Sequence, residues 1–239
     1  MYSKVNGLSD VEISWIRYDA QTGYLLIVYQ DGNIDLLHDH SFYNMPDIRN
    51  LNITGSKRIN SVYFYQQLFY LCTDFGILLL DPVKKEIRES YVLQQNAQVL
   101  QVHALTVYQD SFYAATSNGI LVASVQDPAL QNFAHWTARS SQESTEVFVH
   151  QGHLFFVASD TMYLYQGVTP VMTYAAQAPI QRVRAGAQHL YVCERNDNRR
   201  AVMVLDENGV VIDSIFNVNP NDVLETAPGE IWVADEWQG

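Results

Sequence analysis

Apolar residues in this chain come in runs of five or six, broken by Asp, Asn and Gly, and the arrangement recurs. The clearest instance is Leu68-Phe69-Tyr70-Leu71-Cys72-Thr73-Asp74-Phe75-Gly76-Ile77-Leu78-Leu79-Leu80-Asp81, two apolar strands around a short turn. Residues 24–36 repeat it with Gln30-Asp31-Gly32 at the turn, and residues 111–124 with Ser117-Asn118-Gly119. Looser copies span 154–165 and 190–205, and a half-copy is Ile231-Trp232-Val233-Ala234. The turn glycines fall at 32, 76 and 119, spacings of 44 and 43. A period of roughly 40–50 residues with about four strands per unit marks propeller blades. Buried helices are the competing reading, but the runs are too short and too rich in β-branched and aromatic residues. The predicted fold is all-β: a β-propeller of four-stranded blades, about five complete plus a partial one, read as a fragment of a seven-bladed ring.

The units follow in order. Asn6-Gly7-Leu8-Ser9-Asp10 has turn chemistry, and strands are expected at 12–19, 24–29 and 33–37, then a loop with a short outer strand to 53. The second unit runs from about Ile59 to an alternating outer strand at 87–93, and the third from about Val102 to Trp136, with room for one helical turn at 127–132. The fourth spans about 146–174 and the fifth 180–215; the sixth, from Val223, stops after its second strand. Aligning second strands puts Cys72, Ala115, Cys193 and Ala234 at one position, with Val28 in the first unit. Small residues suit the crowded approach to the axis, so the two cysteines read as small buried hydrophobes rather than as a redox pair.

The 239 residues are read as a single propeller domain, 1–239, truncated relative to a longer protein. The repeat is already in mid-stride at Met1, and Met1-Tyr2-Ser3-Lys4-Val5-Asn6 lacks the apolar core of a signal peptide. The ring could close if residues 2–5 supplied the outer strand of the broken blade. A larger, truncated ring would instead leave apolar flanks and favour association. A net charge of −12, with Lys84-Lys85 and Arg199-Arg200 the longest basic groups, argues against nucleic acid as a partner. No run reaches the ~20 apolar residues of a transmembrane helix.

Candidate chemistry is sparse. His38-Asp39-His40 could put two imidazoles on one strand face, but no further ligand follows at a metal-site spacing. His150 and His153 flank a turn and read as solvated, while His103, His135 and His189 have no partner that sequence identifies. Asp74-Phe75-Gly76 matches the kinase magnesium triplet in letters only and reads as a turn. Asn52-Ile53-Thr54 fits a glycosylation acceptor. Asn196-Asp197-Asn198 lacks the spaced carboxylates and glycine of a calcium loop and reads as a polar hairpin tip. Trp136 and Trp237 could line a binding face, with inter-blade packing the favoured alternative. The sequence therefore assigns no catalytic, cofactor-binding or metal residue and no cofactor, and leaves the ligand-binding residues unknown.

The units resemble the two-component-regulator propeller group. Asn6-Gly7-Leu8-Ser9-Asp10 fits its Asn-Gly-Leu-Ser/Pro-Asp opening, and Phe112-Tyr113-Ala114-Ala115-Thr116-Ser117-Asn118-Gly119-Ile120 and Ile231-Trp232-Val233-Ala234 fit its hairpin. More narrowly, Ser3-Lys4-Val5 with that opening, Gly32-Asn33-Ile34-Asp35-Leu36, Ile53-Thr54-Gly55-Ser56-Lys57-Arg58-Ile59-Asn60 and Leu80-Asp81-Pro82-Val83-Lys84-Lys85-Glu86-Ile87-Arg88 resemble the PorZ-type N-terminal propeller family. That resemblance implies a non-catalytic, exported component of the type IX secretion system attachment complex at the cell surface. Its implied partners are other protein subunits and lipopolysaccharide or another glycan. The alternatives are a periplasmic, oligosaccharide-sensing propeller of a hybrid histidine kinase, and a propeller hydrolase or lyase.

Overall fold

In the computed structural model, which describes residues 4–5, 7–53, 55–227 and 229–236, the repeats are antiparallel four-stranded sheets. The first blade is β1 (Ile13–Tyr18), β2 (Leu25–Tyr29), β3 (Ile34–His38) and β4 (Ser41–Met45). The second is β5 (Ile59–Tyr65), β6 (Leu68–Thr73), β7 (Gly76–Asp81) and β8 (Glu86–Tyr91). A two-residue hairpin, β9 (Gln94–Gln95) with β10 (Gln98–Val99), leads to the third: β11 (Val102–Tyr108), β12 (Ser111–Thr116), β13 (Gly119–Ser124) and β14 (Thr137–Ala138). The fourth is β15 (Glu146–His150), β16 (His153–Ala158), β17 (Thr161–Gln166) and β18 (Thr169–Ala175). The fifth is β19 (Ile180–Ala185), β20 (Leu190–Arg195), β21 (Arg200–Leu205) and β22 (Val211–Phe216), and the half-blade is β23 (Pro220–Ala227) with β24 (Glu230–Asp235). The expected helical turn forms a little later, at Phe133–His135, where the Asn132 side chain accepts from the Ala134 N–H.

Second and third strands are apolar on both faces because each sheet is packed by the next. One buried cluster joins Leu26, Val28 and Leu36 of the first blade to Phe69, Leu71 and Leu80 of the second. Another joins Tyr70, Cys72 and Leu79 to Phe112, Leu121 and Trp136, and the pattern continues between the remaining neighbours. Trp136 is buried among these and donates its Nε1–H to the Leu130 carbonyl at 3.0 Å. Cys72 and Cys193 are both free and fully buried.

The turn glycines have a steric reason. In the second and third blades a threonine hydroxyl closes the turn, Thr73 Oγ1 donating to the Gly76 carbonyl at 2.9 Å and Thr116 Oγ1 to that of Gly119 at 2.8 Å. Gly76 and Gly119 sit at φ +128° and +101°, and a Cβ there would lie 2.2 Å from the Tyr91 carbonyl oxygen and 2.0 Å from that of Ser140. The fourth blade turns instead through Ser159 and Asp160, both at positive φ. The fifth uses Asn196, whose side chain accepts from the N–H groups of Asn198 and Arg199. The opening loop is clasped by buried Asp35, which accepts from the Ser9 N–H (2.7 Å), the Tyr29 hydroxyl (2.6 Å) and the Asn44 amide (2.9 Å). Asn6 and residues 2–3, invoked for that loop and for ring closure, lie outside the described residues.

Candidate functional site

The innermost strand of every blade but the fourth starts with a device the repeat pattern does not reveal. A β-bulge interrupts the pairing of the inner strand between Ile13 and Trp15, Ile59 and Ser61, Val102 and Ala104, Ile180 and Arg182, and Pro220 and Asp222. A bulge re-aims side chains and is frequent beside binding sites. The intervening residues are polar each time: Ser14, Asn60, His103, Gln181 and Asn221. The first four line a polar cavity of about 330 Å³ at one mouth of the central channel.

One step further along, the small second-strand position aligns the channel wall. Val28 pairs with Trp15, Cys72 with Ser61, Ala115 with Ala104, Val157 with Glu146, Cys193 with Arg182, and Ala234 with Asp222. These six inner residues form one layer around the ring. In the second and third blades it is filled by a hydroxyl and a methyl; in the others it carries an indole, two carboxylates and a guanidinium.

The Arg182 guanidinium carbon stands 4.6 Å from the centre of the Trp15 ring and that of Arg184 5.8 Å, linking the first and fifth blades by cation–π contact. Arg184 grips Asp222 through two parallel hydrogen bonds of 2.7 and 2.5 Å. Burial opposes charge on Asp222, but the Arg184 hydrogen bonds and field outweigh it and hold the carboxyl below its ordinary range. Glu146, half-buried in the channel wall, behaves oppositely: desolvation pushes its carboxyl up to about 7, despite the pull of Arg182 and Arg184. At the mouth, burial pushes His103 below its ordinary value although Glu143 lies 3.5 Å away, and Asp74 is tied to the Asn60 amide at 2.9 Å. A larger, more apolar groove of about 770 Å³, lined by Pro46, Leu51, Phe75 and Ile87, lies between the first two blades and gathers few charged groups.

The residues weighed from sequence fall mostly elsewhere. His38 stacks on Tyr24 with ring centres 4.4 Å apart, and Asp39 and His40 form a tight turn at positive φ. His135 pairs with Asp127 at 2.7 Å on the third-blade insert, and His189 meets Tyr191 edge-on. His150 departs from expectation: it is buried rather than solvated, its Nε2 has no hydrogen-bond partner, and burial lowers its pKa. Of the histidines, only His103 reaches the channel mouth, joined there by Asp74. Among the described residues no group of three or more His, Cys, Asp or Glu is placed to hold a metal, and no helix is long and apolar enough to cross a membrane. Asn52 is exposed, while Thr54 of its triplet and Trp237 lie outside the described residues. Reading residues singly missed Glu146, Arg182 and Asp222, because what distinguishes them is a shared register across three blades, and it missed Arg184 two residues further along. It also missed buried Glu194, which is held by Arg199 at 2.7 Å and by the Tyr174 hydroxyl.

This geometry defines the class: an all-β propeller of four-stranded blades around a side-chain-lined channel. The chain belongs to the family of the PorZ N-terminal β-propeller domain of the type IX secretion system, whose model matches residues 1–137. Its fold is similar to that of PorZ from Porphyromonas gingivalis, described as an essential bacterial surface component of that system. The identity is 22%, the TM-score 0.74, and the match covers 93% of this chain and 29% of that one. The extracellular domain of the putative one-component system BT4673 from Bacteroides thetaiotaomicron is similar at 13% identity and TM-score 0.71, over 98% of this chain and 33% of that one. The chain thus spans about a third of each of these relatives. No curated protein sequence matches it.

Proposed function

We propose that this propeller is a non-catalytic recognition and scaffolding module, the first propeller of a longer, exported protein in a type IX secretion surface complex. The carrying observation is the family match over residues 1–137, joined to a fold similarity that extends through the remaining blades. Its partners in this reading are other protein subunits of the attachment complex, and its contribution is to support sortase-mediated linkage of cargo to anionic lipopolysaccharide. Rigid blades that present loops at both ends of a ring suit such a role, since recognition can be placed on loops without disturbing the core.

The test is genetic. Deleting the gene in its own bacterium should leave type IX cargo unanchored and unmodified, and restoring the full-length protein should recover surface display. Normal cargo attachment in the deletion strain would refute the assignment. A second reading, a periplasmic ligand-sensing propeller of a hybrid two-component histidine kinase, is favoured by the likeness to the BT4673 extracellular domain, which a second structure describes as part of a putative hybrid two-component system. A transmembrane helix and kinase domain encoded in the same polypeptide would select it.

A further inference from the structure

Two opposite charges face the channel mouth without satisfying each other. Among the described residues the Glu146 carboxylate is influenced only through burial and the fields of Arg182, Arg184 and Asp222, with no hydrogen bond to its oxygens. Arg182 Nε is buried without a hydrogen-bond partner. Their neighbours are already engaged: Arg184 with Asp222, and Asp74 with Asn60. Both side chains are half-buried and lack a hydrogen-bonded counter-charge, so a ligand that supplied a donor to one and an acceptor to the other would engage both. We propose that the channel mouth binds a small zwitterion, a free amino acid or dipeptide, with its ammonium on Glu146 and its carboxylate on Arg182.

The alternatives fit the wall less well. A simple phosphate or carboxylate anion would meet Arg58 and Arg182 but also the carboxylates of Asp74 and Glu146, all lining the same cavity. A polyamine would meet the reverse conflict. A sugar would want an aromatic face, and Arg182 already lies over Trp15. At about 330 Å³ the cavity is near the lower end of the range for small-molecule sites, roughly 300–1,000 Å³. That size suits a ligand of one or two amino-acid residues. The bulge residues Asn60, His103 and Gln181 add neutral hydrogen-bonding groups around the rim, suited to a peptide or amide group.

The site is independent of the scaffolding role, so either can fail without the other. The test is calorimetric titration of the purified chain with glycine, L-glutamate and L-alanyl-L-alanine, against their N-acetylated and C-amidated forms, D-mannose, inorganic phosphate and putrescine. At least one zwitterion should bind saturably, and capping either end should weaken it at least ten-fold. Glu146→Gln should abolish the discrimination against the N-acetylated form, and Arg182→Gln that against the amide. The capping comparison on the unaltered protein stands even if a variant fails to fold. Capped forms binding as well as free ones, saturation by mannose, phosphate or putrescine alone, or no saturation by any zwitterion would each overturn the proposal.

Discussion

The second and third blades and the fourth to sixth share one architecture yet are built to different ends. The former close their hairpins with a Thr hydroxyl and a glycine, and place Ser61 and Ala104 in the channel layer. The fourth and fifth blades turn without that glycine, and the fourth, fifth and half-blade place Glu146, Arg182 and Asp222 in the same layer. Their outer surfaces differ too. Strand β8 carries Glu86, Arg88 and Glu89, whereas β18 and β22 expose Val171, Met172, Ile212 and Phe216. Regularity and chemistry are thus separated within the channel layer: the blades that repeat best fill it with small side chains, and those that repeat worst fill it with charged ones, while Arg58 and Asp74 of the second blade stay at the mouth.

If that separation is real, the largest stability losses should come from the regular half. Phe112 is fully enclosed between the second and third blades, with ring centres 5.2 Å from Tyr70 and 5.6 Å from Tyr65. Phe112→Ala should cost about 3–5 kcal/mol by urea denaturation. Met172→Ala, on the exposed rim of the fourth blade, should stay within about 0.5 kcal/mol. Comparable losses at both positions would erase the distinction.

The next contrast tests the turns. Gly119→Ala adds a Cβ 2.0 Å from a backbone oxygen at φ +101°, whereas at Gly152, φ +79°, no atom lies within 4 Å of the new Cβ. The first change should cost about 2–4 kcal/mol and the second about 1 kcal/mol, the strain of positive φ alone.

How much of this was legible beforehand follows from the same contrast. The blades, their order, and the small residues at 72, 115 and 193 could be read because short apolar runs recur and, in the first three units, turn glycines punctuate them. The channel site left only a faint one: an apolar–polar step at Ile13-Ser14, Ile59-Asn60, Val102-His103 and Ile180-Gln181, visible only once the bulges give it meaning. Glu146, Arg182 and Asp222 lie in three different units, and no local spacing ties them together. His150 was misread because a residue flanking a turn can still face the neighbouring blade.

The channel layer should itself dominate one pH response. With its folded-state pKa near 7 and an unfolded value near the ordinary ~4.3, Glu146 keeps its proton longer in the folded chain. Its contribution is therefore most favourable below about pH 4 and is lost as pH rises to about 7. Glu146→Gln should remove that slope and stabilise the protein by about 1–3 kcal/mol at pH 8. Urea midpoints measured every half unit from pH 4 to 8 check this, and an unchanged slope in the variant would place the titration elsewhere.

Arg184→Met sets the smallest effect against a different background. It strips Asp222 of both Arg184 hydrogen bonds and leaves it only the Val223 N–H at 2.8 Å, and a fully buried carboxylate losing its counter-charge would cost about 3–5 kcal/mol. Both side chains are more than a third exposed to the channel, at 35% and 38%, so solvent screens the charge and the loss should be nearer 1 kcal/mol. The double variant Arg184→Met/Asp222→Asn should recover part of it, because the unpaired charge is then gone. A loss as large as that of Phe112→Ala would mean that the ion pair, and not the packing between blades, anchors the half-blade, and the division between a structural half and a chemical half would no longer hold.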